Sequence, residues 1–145
     1  MRSQPAVKRA EFAVRRRGYL ERDPSQFECL LTDAADQILE GTTSNFFGVK
    51  DGVLATAGEG VLEGIARKIV LNLATSACIP ICFAPIKISD LGQYAETALS
   101  SASRGLVPII QIGTLTIGDG QPGPVTLKLV ELYFDYVRRE IRTAL

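Results

Sequence analysis

What most constrains the fold of this chain is a series of short apolar segments separated by turn residues between positions 27 and 56. Residues 27–32 (FECLLT), 37–40, 45–49 and 53–56 are each of strand length, with Ala34-Ala35-Asp36 and Lys50-Asp51-Gly52 between them. An Asp-Gly pair between two apolar runs is a strong hairpin signal, because a tight two-residue turn needs positive φ at both positions. Connections this short join antiparallel neighbours, since parallel strands need a crossover of a dozen residues or more. The first half of the chain is therefore expected to build three or four short antiparallel strands.

Helices are expected on either side. Residues 9–22 carry Ala10, Phe12, Ala13, Val14 and Leu20 without proline, which predicts a helix, and Gly18 weakens its end. Asp23-Pro24-Ser25 is a turn. After Gly58, Gly60 and Gly64 a second helix is predicted over 65–74, with Ile65, Ile69, Val70 and Leu73 on one face. Strands are expected at 81–88, 97–102 and 107–112, and a helical turn at Ser89-Asp90-Leu91. A turn over 119–124 leads to a last helix with Pro124 in its first turn. That helix runs to about Arg142, with Val125, Leu129, Leu132, Tyr136 and Val137 facing the core. The length of 145 residues suits one domain. The expected class is α/β (mixed α+β): a curved, largely antiparallel sheet with helices packed on it.

Composition removes several functions. Sixteen basic and sixteen acidic residues cancel, so no nucleic acid or anionic membrane is expected as partner. The run Arg15-Arg16-Arg17 reads as a solvated helix face. The chain has no histidine, which excludes Ser-His-Asp and Cys-His mechanisms. Acid–base work falls to Lys, Glu, Asp, Tyr or a cofactor. Cys29, Cys78 and Cys82 are odd in number and lack a CxxC spacing, against a disulfide framework or zinc site. They read as buried free thiols in a reduced, cytoplasmic compartment. No apolar run reaches the 18 or so residues of a membrane span, and the N-terminus has no apolar signal-peptide core.

Three motifs go beyond fold class. They are Leu39-Glu40-Gly41-Thr42-Thr43-Ser44-Asn45-Phe46-Phe47 with the following Val49-Lys50-Asp51-Gly52, then Gly60-Val61-Leu62-Glu63-Gly64-Ile65-Ala66-Arg67, and Gly118-Asp119-Gly120-Gln121-Pro122-Gly123-Pro124-Val125-Thr126. In this order and spacing the chain, from about Val7 to Arg139, resembles the fold-type IV pyridoxal-phosphate enzymes. These comprise branched-chain aminotransferases, D-amino-acid aminotransferases and aminodeoxychorismate lyases. The resemblance implies the large domain of the D-amino-acid aminotransferase-like fold. Residues 1–145 would be its C-terminal cofactor-binding domain, with the family's N-terminal small domain absent.

The same resemblance implies pyridoxal 5'-phosphate as cofactor and amino-group transfer between an amino acid and a 2-oxo acid. Such chemistry needs a lysine that forms a Schiff base and an acid opposite the pyridine nitrogen. Glu40 matches the family's glutamate. Lys8 precedes it by 32 residues, a family-like separation, and is the sole lysine upstream of Glu40. Leu62 corresponds to the apolar residue that packs on the cofactor ring. Backbone N–H groups of Ile65 and Ala66 would hold the phosphate at a helix start. The segment Ser100-Ser101-Ala102-Ser103-Arg104-Gly105 resembles the loop that gives the phosphate a hydroxyl, with Ser101 or Ser103 as donor.

Two positions depart from the aminotransferase pattern: Ala66 and Ala102 stand where hydroxyl residues are usual. Each lost charge-assisted hydrogen bond is worth on the order of 1.5–3 kcal/mol. The departures keep open an aminodeoxychorismate-lyase-like elimination on the same scaffold, or an inactive fragment. Arg67 is expected to take an outward or structural role. With no small domain to supply a lid or a phosphate-clamping arginine, the chain alone is expected to be catalytically incompetent, to bind cofactor weakly, expose apolar surface and self-associate; family members form homodimers.

Overall fold

The computed structural model describes Arg17 and residues 20–144. Lys8 and most of the helix expected over 9–22 lie outside the described residues; Arg17, Leu20 and Glu21 are helical. Ten strands follow among the described residues, with two α-helices between and after them. In chain order they are β1 (Leu30–Thr32), β2 (Gln37–Gly41), β3 (Asn45–Lys50), β4 (Val53–Thr56), α1 (Ile65–Ser76), β5 (Ile81–Phe83), β6 (Ile86–Lys87), a 3-10 helix (Ile88–Gln93), β7 (Glu96–Ser101), β8 (Gly105–Ile109), β9 (Gln111–Ile112), β10 (Leu115–Thr116) and α2 (Pro124–Ala144).

The Asp51-Gly52 hairpin forms as expected. Both residues have positive φ, 52° and 76°, the requirement of a type I′ turn whose twist matches the strands it joins. Eight strands make one sheet in the order β1-β2-β3-β4-β5, with β6 joined to β2 and the β7–β8 pair joined to β3. Every pairing is antiparallel except β4 with β5.

The strand expected over 81–88 is broken. Pro85 lacks an N–H for the ladder. β5 pairs with β4 before it, and Ile86 pairs with Ile38 of β2 after it. The strand expected over 107–112 begins two residues early, at Gly105, and ends at Ile109. Pro108 is tolerated within it because the sheet continues on one side only, through β7.

Strand alternation sorts side chains onto two faces. Phe47, Val49, Ala98 and Leu106 meet Ala66, Val70 and Ala74 of α1 and Leu129 and Tyr133 of α2. Phe46, Leu99, Ile38 and Ile86 pack on the other face with Leu91 and Ile117. Phe46 and Phe47 are both fully buried, and each contributes about 1.5–3 kcal/mol of transfer free energy.

The buried row of α1 is displaced by one residue from expectation. Ala66, Arg67, Val70 and Ala74 are buried, Ile69 and Leu73 pack at the edge, and Ile65 is 76% exposed. The alanines at 66 and 74 let the helix approach the sheet closely, which turns Ile65 outward. On α2, Leu129 is buried and Val125 and Val137 pack against it as expected, with Thr126 and Tyr133 added to the buried face.

Candidate functional site

Glu40 sits on β2, opposite Asn45 of β3, and is 2% exposed. Its Oε2 accepts the backbone N–H of Leu62 at 3.1 Å and faces Asn45 Nδ2 at 3.4 Å. Asn45 Nδ2 also donates to the Leu62 carbonyl at 2.7 Å. Leu62 is thus pinned through both backbone groups by side chains from two adjacent strands. Its own side chain is half-exposed beside the buried carboxylate, an apolar surface suited to a flat ring.

Two residues on, Gly64 caps α1 in extended conformation (φ −66°, ψ 147°). Among the described residues no side chain bonds to the cap, and no acidic residue occupies the first turn. The leading N–H groups of a helix have no intrahelical partner and carry the positive end of its dipole. Gly64 is also required by packing, since a Cβ there would stand 2.7 Å from Asn45 Oδ1.

Register brings the third segment close. Asn45 pairs with Ser100 of β7, so Glu40, Asn45 and Ser100 form one rung across three strands. Glu40 and Ser100 are two strand spacings apart, about 10 Å, on the same face. Alternation turns Ser101 to the opposite face, where its Oγ accepts Arg104 Nε at 3.2 Å. Ser100 Oγ is buried and has no hydrogen-bond partner among the described residues. Ala102 and Ser103 are exposed in the turn before β8. Gly64 lies against Asn45, which pairs with Ser100, so the helix start and this turn belong to one end of the domain.

Sequence reasoning missed a carboxylate that braces this end. Glu28 Oε1 accepts the Thr43 backbone N–H, Ser44 Oγ at 2.9 Å and Thr43 Oγ1 at 3.1 Å. Its Oε2 pairs with Arg104 Nη2 at 3.0 Å, and the Glu28 side chain is 1% exposed. Arg104 Nη2 bonds Thr43 Oγ1 at 2.9 Å, and the guanidinium lies 4.6 Å from the centre of the Phe27 ring. The two turns flanking Glu40 and Ser100 are thereby tied together. One available signal was the lone carboxylate inside the apolar run FECLLT.

Arg67 takes the structural role. It is 6% exposed, donates from Nη2 to the Ala57 carbonyl at 2.8 Å and lies 5.9 Å from the Phe83 ring centre. Burial lowers its pKa from the ordinary arginine value, and the charges of Glu63 and Glu40 act in the opposite sense. An open cleft of about 1550 Å³ runs along α1 past Gly64, Ile65 and Arg67. Glu40 and Leu62 do not line it, so it reaches the helix start but not the carboxylate. Among the described residues no group of His, Cys, Asp or Glu could hold a metal, and no helix is long and apolar enough to cross a membrane. Cys78 and Cys82 are exposed rather than buried.

A largely antiparallel sheet with a buried carboxylate beside an uncapped helix start defines a domain able to seat an anion at one point and a protonated base at another. Comparison with known proteins gives that description a family. Residues 5–112 match the amino-transferase class IV family, and the chain belongs to it. A D-alanine aminotransferase of Listeria monocytogenes is 32% identical over 106 residues, 72% of this chain and 37% of that protein. The branched-chain amino acid aminotransferase of Escherichia coli superposes with a TM-score of 0.80 at 27% identity, covering 85% of this chain and 43% of that one. The branched-chain aminotransferase of Thermoproteus uzoniensis, solved with norvaline, gives a TM-score of 0.77 at 30% identity over 84% of this chain and 41% of its own. The chain spans about two-fifths of the length of the curated relatives it matches.

Proposed function

We propose that this domain takes part in pyridoxal-phosphate-dependent amino-group transfer between an amino acid and a 2-oxo acid. The observation that carries the reading is the joining of Glu40, Leu62 and the start of α1 into one hydrogen-bonded unit. The donor set fits the cofactor: a buried carboxylate for a protonated ring nitrogen, an apolar side chain for the ring face, and uncapped N–H groups for a phosphate. Pyridoxal phosphate, when bound, supplies an electron sink that stabilises negative charge at the substrate Cα.

The chain's residues have separate tasks in this scheme. Glu40 keeps the ring nitrogen protonated; its acceptor contacts with Leu62 and Asn45 fix the carboxylate's direction before any ligand arrives. Ile65 and Ala66 hold the phosphate through their backbone N–H groups, which need no particular side chain. The turn at Ser101, Ala102 and Ser103 supplies the hydroxyl, from Ser103, since Ser101 faces away from Glu40 and is held by Arg104. Lys8 anchors the cofactor and moves the proton at the substrate Cα. Relatives named as D-alanine and branched-chain aminotransferases support transfer over elimination.

The test mixes the purified chain with pyridoxal phosphate and follows the visible absorbance of a lysine-bound cofactor. Wild type is expected to develop it and Lys8→Ala to lose it. Glu40→Ala should shift the band and weaken binding. Amino acid formed from pyridoxamine phosphate and pyruvate or 2-oxoglutarate at about 1 per second or more would overturn the expectation that this chain alone is catalytically incompetent. A band retained in Lys8→Ala would refute the assignment of that lysine.

A further inference from the structure

The face of the sheet turned away from α1 and α2 holds a second cavity. It is a trough of about 720 Å³, within the range of small-molecule sites. Phe46 and Leu99 form its floor, residues 25–30 form one wall and residues 107–113 the other. Phe27 and Ile110, both exposed, continue the apolar floor up the two walls. Glu40, Leu62, Ile65 and Ala66 do not line it.

A cation closes one end. Ser101 follows Leu99 on the same side of β7, about 7 Å further along, and its Oγ accepts Arg104 Nε at 3.2 Å. From there the Arg104 guanidinium reaches the opposite wall. It lies 4.6 Å from the Phe27 ring centre and pairs with Glu28 Oε2 at 3.0 Å. A guanidinium carries five N–H groups, one on Nε and two on each Nη. Nε serves Ser101, and Nη2 serves both Glu28 and Thr43. The two groups on Nη1 have no partner among the described residues, and the side chain is 29% exposed. Glu28 is also held through Oε1 by Thr42, Thr43 and Ser44, so its charge is shared and the guanidinium is only partly compensated.

We infer that this trough binds an apolar monocarboxylic acid, with the chain of the acid over Phe46 and Leu99 and its carboxylate on Arg104 Nη1. An alcohol of the same length lacks the charge that strengthens a guanidinium hydrogen bond. A short acid lacks the apolar area that the trough removes from water. Phe27, Glu28 and Ser101 set the pose of Arg104 before the ligand arrives, so little rotamer freedom is lost on binding. The site lies on the opposite face of the sheet from Glu40 and does not rest on the proposed transfer chemistry.

Titration of the full chain with sodium octanoate below its micellar range, without pyridoxal phosphate, tests this through backbone amide resonances. Saturable shifts are expected at Val107, Gln111 and Gly113, with Ile65 and Ala66 unmoved. Octan-1-ol and acetate should each bind at least tenfold more weakly than octanoate. Ile110→Glu puts a like charge on an exposed wall position; it should weaken octanoate at least tenfold with unchanged circular dichroism. Arg104→Gln should weaken it to a similar degree, and Arg104→Lys should recover part of the affinity. Shifts that do not saturate, shifts centred on Ile65 and Ala66, equal affinity for octan-1-ol, or indifference to Ile110→Glu would each overturn the inference.

Discussion

The two helices begin in opposite states. At α2, Glu96 of β7 places its carboxylate on the helix start: Oε1 accepts Val125 N–H at 3.1 Å and Oε2 accepts Thr126 N–H at 2.6 Å. Glu96 is 5% exposed, and Gly123 leaves the room it needs, since a Cβ there would lie 2.2 Å from the Glu96 side chain. The positive end of α2 is closed by the protein itself. At α1, Gly64 offers no cap, and the acidic neighbour Glu63 stands outside the first turn. Helix-start amides need a partner, which at α2 is Glu96 and at α1 is left to water or an outside anion. In this account that anion is the cofactor phosphate.

The largest expected effect lies at the closed end. Glu96→Ala removes two charge-assisted hydrogen bonds and should cost about 3 kcal/mol or more, read from urea midpoints. A loss under about 1 kcal/mol would mean the carboxylate is not what satisfies α2. At the open end, Ile65→Pro deletes one N–H at a position where proline suits the helix and Gly64 is already extended. Stability should change by less than about 0.5 kcal/mol, whereas affinity for pyridoxal phosphate should drop by about tenfold or more, seen by fluorescence titration. Equal affinity would take the phosphate away from α1.

Arg104→Ala should cost about 1–2 kcal/mol of stability, because Glu28 keeps its other donors when the guanidinium is lost. Arg104→Lys should recover part of that, as lysine restores charge but not the two-directional fork. The smallest effect is alkaline. Burial, and then the charge of Tyr136, raise the Tyr133 pKa above the ordinary tyrosine value. A raised folded-state pKa contributes stability that is complete below the unfolded value of about 10 and is lost as pH climbs past the folded one. Urea midpoints should therefore fall between about pH 9 and pH 11 more steeply in wild type than in Tyr133→Phe. The loosening acts through α2, since α1 has no tyrosine.

What the sequence revealed follows the reach of its signals. Asp51-Gly52 located a hairpin because turn chemistry is local. The Glu40 and Gly64 motifs placed the buried carboxylate and the helix start because they resemble the family's motifs. Pro85 and the alanines of α1 were misread. Breaking 81–88 depends on which strands the two halves find, and the buried row of α1 depends on how closely the helix meets the sheet. Glu28, Glu96 and Arg104 were not singled out, because most of their partners lie 14 to 76 residues away along the chain. Single carboxylates in short apolar segments, FECLLT and ETALSS, were the available hint.

Backbone amide resonances followed during titration with pyridoxal phosphate test the central claim most directly. The account predicts that Ile65 and Ala66 shift on binding, with Leu62 responding beside Glu40, while Val125 and Thr126, held by Glu96, stay in place. Shifts at Val125 and Thr126 with none at Ile65 and Ala66 would contradict it.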